Sequence, residues 1–160
     1  MDYTSSYMKV LEESLLKKSG VLQALLEASH RQETLAEAED FDMDAFTDTM
    51  EQKDALLEQL KELDEGFART YEGVQQELNT HREQYADEIQ RIQELIRSVT
   101  ALGVELQTLE ERNRAKLEIK FSKQQRELRQ IKTSNKVATT YYKNMSNAPA
   151  SDPYFMDQKK

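Results

Sequence analysis

Apolar residues along this 160-residue chain recur at steps of three and four, the spacing that lines one face of a helix. In residues 2–36 the stripe is Met8, Leu11, Leu15, Leu22 and Leu25, widened by Leu16, Val21 and Leu26, with Gly20 weakening the middle by ~1 kcal/mol relative to alanine. Residues 44–79 carry a heptad seam: Phe46, Met50, Lys53, Leu57, Leu60, Asp64, Phe67, Tyr71, Val74 and Leu78, flanked by Leu56 and Leu63. Lys53 and Asp64 stand at seam positions, where polar residues set register more often than they carry chemistry. A third stripe runs through Tyr85, Ile89, Ile92, Ile96, Val99, Leu102, Leu106 and Leu109, thins around Asn113 and resumes at Leu117, Phe121, Leu128 and Ile131.

These stripes predict three helices, over about 2–36, 44–79 and 81–143. Thr80 and Glu83 have capping-box spacing at the start of the third, and from Thr80 to Lys143 there is no proline and one glycine, Gly103. The short connection near Leu78–Arg82 favours antiparallel neighbours. Pro149 and Pro153 close the helical part and leave a flexible tail over 145–160. The fold expected is all-α: a single helical domain over 1–144, an elongated antiparallel three-helix bundle or coiled coil. Its long C-terminal helix protrudes in part and ends in a disordered tail.

Length sharpens the expectation. At ~1.5 Å per residue the helices would measure roughly 53, 54 and 90 Å, so roughly 35 Å of the third would outrun its neighbours. That surplus is expected to begin near Asn113. It would bear Leu117, Phe121, Leu128 and Ile131, each gaining ~1.5–3 kcal/mol from burial. With no glycine or proline there to turn the chain, an unbroken rod is expected, and with it a stripe that receives an amphipathic partner helix.

Charge changes the picture at the same place. Residues 1–111 hold 10 Lys+Arg against 26 Asp+Glu, whereas residues 112–160 hold 12 against 4, and Arg112, Arg114, Lys116, Lys120, Lys123, Arg126, Arg129, Lys132 and Lys136 are the dense part. One end therefore attracts acidic partners and the other repels them. Few aromatics are available to stack bases, and the rest of the chain is acidic, so nucleic acid is not the expected partner. No run approaches ~18 apolar residues, and Met1–Thr4 lacks a basic stretch leading into an apolar one; no membrane span is expected, and a cytoplasmic address is.

Candidate chemistry is sparse. Asp40, Asp42, Asp44, Asp48 and Glu51 fall at positions 1, 3, 5, 9 and 12 of a calcium-loop pattern. Ala45 stands where that loop needs glycine, though, and Phe46 and Met50 already belong to the next seam. An acidic first helical turn capped by Asp42 or Asp44 is the better reading. Glu27 and His30 give one Glu-x-x-His pair, but Leu78 occupies the position that would make a second with His81, so a di-metal bundle is not expected. There is no cysteine, glycine-rich phosphate loop or nucleophile elbow. The chain reads as a non-enzyme with no cofactor and no metal.

The segment Lys53-Asp54-Ala55-Leu56-Leu57-Glu58-Gln59-Leu60 opening the second helix, the long final helix, and the tail from Tyr141 to Met145 and from Asp152 to Asp157 resemble the FlgN-type flagellar type III export chaperones, small helical proteins of the FlgN and FliT kind. The resemblance implies a cytoplasmic chaperone. Such a protein binds the amphipathic terminal helices of hook–filament junction (hook-associated) proteins, prevents their premature assembly and delivers them to the export apparatus. On that reading Leu117, Phe121, Leu128 and Ile131 make the partner contact, and Arg126 and Arg129 steer an acidic helix toward it. The competing reading is a structural coiled-coil scaffold or homodimer in which a second copy covers the same stripe.

Overall fold

The structure, a computed structural model, describes residues 3–122. Three helices account for nearly all of them: α1 (Thr4–Glu37), α2 (Met43–Thr80) and α3 (Ala86–Lys120), with a short 3-10 turn, Arg82–Tyr85, between the last two. Among the described residues there is no strand, and the fold is an all-α antiparallel bundle.

Contacts between named residues fix the directions. α2 runs back along α1, pairing Lys18 with Asp64, Gln32 with Thr49 and Arg31 with Gln52. α3 then runs parallel to α1 at a fixed offset, Arg91 beside Glu12, Arg112 beside Glu33 and Lys116 beside Glu37. α1 packs closely against both other helices, whereas the backbones of α2 and α3 scarcely approach each other. α1 is the shared wall of the bundle.

The seams are buried as their spacing predicts. Met8, Leu11, Leu15, Leu22 and Leu25 of α1 meet Leu60, Tyr71, Val74 and Leu78 of α2 and Ile89, Ile92, Ile96, Val99, Leu106 and Leu109 of α3 in one long core. Lys18 crosses this core with its ammonium 2.6 Å from Asp64 Oδ1, so the polar seam residue Asp64 holds a cation of the facing helix. Leu16, expected to widen the α1 stripe, is 55% exposed, because that flank of α1 faces solvent.

Three features differ from the sequence expectation. Thr80 ends α2 instead of capping α3: its hydroxyl donates to the Gln76 carbonyl 2.9 Å away. The 3-10 turn takes residues 82–85 out of the third helix, and Tyr85 is buried there with its hydroxyl donating to Glu77. α3 therefore starts at Ala86 and advances in step with α1, so Lys116 lies beside Glu37 and Phe121 lies over the α1–α2 connection. Support for the third helix thus reaches Phe121, not Asn113. α3 is continuous through Asn113, and at 1.5 Å per residue the three described helices are within about 6 Å of one another in length.

Candidate functional site

The end of the bundle where α1 passes into α2 is built differently from the rest. Moving toward it, the long apolar core stops at a layer of buried polar side chains contributed by all three helices: Ser29 and Gln32, Thr49 and Lys53, Glu110 and Asn113. The Lys53 ammonium donates to Glu110 Oε1 and, at 2.9 Å, to Gln32 Oε1. Gln32 Nε2 donates to Thr49 Oγ1 at 3.0 Å, and Thr49 Oγ1 to the Phe46 carbonyl at 2.6 Å. Ser29 Oγ donates to Glu110 Oε1 at 2.5 Å, and Asn113 Nδ2 to the Ser29 carbonyl at 2.8 Å. Glu110 Oε2 and Asn113 Oδ1 are buried without a hydrogen-bond partner. Lys53 is 3% and Glu110 1% exposed, and burial pushes the Lys53 ammonium below its usual range while the Glu110 carboxylate opposes that shift. An ion pair this deep adds little net stability, because the cost of taking two charges out of water offsets their attraction.

Beyond the layer lies a second, smaller apolar cluster: Ala36, Phe46, Leu117 and Phe121, with Leu35, Phe41, Met43 and Met50 packed on it. Phe41 and Phe121 meet edge to face with ring centroids 4.5 Å apart, and Phe41 also touches Phe46 at 5.5 Å. Asp42 starts α2 beneath this cluster, its Oδ1 accepting from the Ala45 amide at 3.0 Å. Met43–Glu51 is therefore wound as helix, and the spacing of acids from Asp40 to Glu51 serves a cap rather than an ion loop. Among the described residues no group of three or more ligating side chains is placed to hold a metal ion.

Outside, a ladder of ion pairs ties the last turns of α3 to α1. Arg112 donates to Glu33 through Nε at 2.6 Å and through a terminal nitrogen at 3.2 Å. Lys116 donates to Glu33 at 2.8 Å and also to Glu37, and Lys120 donates to the Ala38 carbonyl. Hydrogen bonds from Arg112 and then Lys116 hold the Glu33 carboxyl down to about 2, well below the usual carboxylate range. The first part of the basic run is thus answered by acids of the same copy.

Leu117 and Phe121, expected on a bare stripe, are 1% and 2% exposed inside this cluster. Their burial has a simple cause: the fixed offset to α1 brings them over Ala36 and Phe41. Arg126, Leu128, Arg129 and Ile131 lie outside the described residues.

Comparison with known proteins supplies the identity. The FlgN protein family model matches residues 7–149, all but the ends of the chain. The chain belongs to the FlgN family. No curated protein and no solved structure matches it. FlgN proteins are chaperones of flagellar export, not enzymes, and bind protein clients. No described helix of this FlgN chain is long and apolar enough to cross a membrane.

The polar layer of this FlgN bundle was half visible in the sequence. Lys53 stood in the α2 seam, and the thinning at Asn113 was plain. Continuing the α3 stripe by threes and fours from Val99 gives Gly103, Leu106, Glu110, Asn113 and Leu117, which are the residues the bundle buries. An acid on that list was the missing partner of Lys53. Nothing in the α1 pattern alone marked Ser29 or Gln32.

Proposed function

We propose that this chain is a cytoplasmic export chaperone that holds the amphipathic terminal helices of flagellar hook-associated proteins, the components of the hook–filament junction. It would keep them from assembling early and hand them to the export apparatus. The observation that carries this reading is the family match over residues 7–149, which runs well past the end of the described bundle. The buried seam of α3 continues in sequence by the same spacing: Leu117, Phe121, then Leu128 and Ile131 at steps of four, seven and three. Arg126 and Arg129 flank the continuation and suit a helix with an acidic edge. Leu128 and Ile131 are the proposed client contacts, with Arg126 and Arg129 steering.

Titration calorimetry of the full chain with a synthetic peptide of the C-terminal helix of a hook-associated protein from the same genome tests the proposal. Binding that Leu128→Asp and Ile131→Asp each weaken at least about tenfold, with the thermal midpoint unchanged, is expected for a contact of one buried aliphatic side chain. A chain that ignores the peptide and scatters light as a stable dimer, losing that dimer on the same substitutions, would replace the chaperone reading with a homo-oligomeric scaffold.

A further inference from the structure

On each of the three helices the polar layer separates the same two apolar clusters. Along α1 the order is Leu26, then Ser29 and Gln32, then Leu35 and Ala36. Along α3 it is Leu109, then Glu110 and Asn113, then Leu117 and Phe121, and α2 repeats it in reverse from Leu60 through Lys53 and Thr49 to Phe46. The small cluster therefore shares no continuous apolar packing with the long core. Cooperativity between two parts of a protein is carried by such packing, and elements that lack it open on their own. The layer itself is weakened by the two buried oxygens without partners, Glu110 Oε2 and Asn113 Oδ1. Besides the small cluster itself, the end of α3 is held by Arg112 and Lys116 on α1, whose partly exposed ion pairs are screened by salt, and by Lys120 on the Ala38 carbonyl.

We infer that the end of the bundle beyond Lys53 and Glu110 is a cap that opens as one unit while the long core stays folded, and that opening adds Leu117 and Phe121 to the client-binding stripe. The second half rests on the function proposed above, since it gives Leu117 and Phe121 the same partner as Leu128 and Ile131: an amphipathic helix. In sequence the four continue one stripe, at steps of four, seven and three. In the closed bundle its first half is spent on Ala36, Phe41 and Phe46. A client helix that engages the seam from its far end gains two large apolar residues by drawing α3 away from α1, and it leaves the aromatic lining on α2 uncovered. The closed cap also keeps a greasy surface covered when no client is present.

Hydrogen–deuterium exchange of the intact chain, read by mass spectrometry, tests both halves separately. Without client, amides of residues 43–50 and 113–121 are expected to be at least about tenfold less protected than those of residues 89–106, as befits a sub-global opening. Raising sodium chloride to about 0.5 M should lower protection in the cap roughly threefold and leave residues 89–106 within about twofold, because Arg112 and Lys116 concentrate their screened pairs in the cap whereas in residues 89–106 the pair of Arg91 with Glu12 sits on a continuous apolar core. Replacing the layer by apolar side chains, Lys53→Met with Glu110→Leu, should join the clusters and bring cap protection to that of the core. Equal protection of cap and core in the wild-type chain at both salt concentrations would overturn the separate cap. With the hook-associated peptide bound, residues 43–50 should lose protection; binding that leaves them unchanged would overturn the docking half. If the peptide does not bind at all, the client reading fails, yet the free-chain comparison still decides the cap.

Discussion

Glu110→Leu is the most informative single substitution. In the folded chain the Lys53 ammonium, 3% exposed, would then face only Gln32 Oε1, with an aliphatic side chain where its counter-charge stood. Breaking a buried pair from one side costs ~3–5 kcal/mol, because the remaining charge is uncompensated. Lys53→Met strands Glu110 instead and should cost a similar amount, since it too leaves one buried charge unpaired. The double variant, Lys53→Met with Glu110→Leu, leaves no charge in the layer and should lie within about 1 kcal/mol of wild type or above it by ~1–4 kcal/mol. For a chain of this size, where 1 kcal/mol moves the thermal midpoint by roughly 2–4 °C, each single variant should lose about 6–20 °C and the double should recover it. Urea denaturation followed by far-ultraviolet circular dichroism gives the four free energies of the cycle. If Glu110→Leu costs less than about 1 kcal/mol, or the double variant is no better than the worse single, the two groups are not a buried pair in the folded protein and the reasoning about the layer fails.

Three other outcomes follow from the same structure. The Glu33 carboxyl is depressed from 4.5 to about 2, so its contribution is present above about pH 4.5 and is lost as pH falls toward 2. Acid titration of stability should therefore be less steep in Glu33→Gln over that window, and identical slopes would contradict the Arg112–Lys116 ladder. An added Cβ at Gly20 or Gly66 meets nothing within 4 Å, so Gly20→Ala and Gly66→Ala should each raise stability by about 0.5–1 kcal/mol. At Gly73 the same atom would lie 2.8 Å from the Tyr7 ring, so Gly73→Ala should gain less or lose; an equal gain would mean that Tyr7 does not rest there. Phe121→Ala, at a site 2% exposed, should cost ~3–5 kcal/mol by denaturation, where a side chain on a bare surface would cost almost nothing.

Periodicity made most of the bundle readable. The α1 seam of Met8, Leu11, Leu15, Leu22 and Leu25 is buried throughout, and in α2 Phe46, Lys53, Leu60, Tyr71, Val74 and Leu78 are buried with Met50, Leu57, Asp64 and Phe67 half-buried between them. What periodicity could not supply was the relative sliding of the helices. The 3-10 turn over 82–85 delays the start of α3 to Ala86, and a turn of that kind has no strong sequence mark. Leu117 and Phe121 illustrate the consequence: their apolar character was read correctly, but which surface they meet depends on register, and register lies in pairs such as Arg112 with Glu33 that span about 80 residues. The buried layer is only half legible for a related reason. A lysine in a seam announces that a counter-charge exists, but not on which helix it stands.

The place of α1 as shared wall also bears on how the chain comes into being. When the ribosome has released α1 and α2, those two can zip into a hairpin from their short connection, but the flank of α1 that meets α3 stays wet until residues 86–121 emerge, its Glu12 end to be covered first by Arg91 and its Glu37 end last by Lys116. Its leucines must wait for a strip of sequence some eighty positions downstream, a long delay for an all-helical fold and one that slows the final closure. The newborn hairpin is thus a half-product whose remaining apolar flank is covered only by sequence still to come.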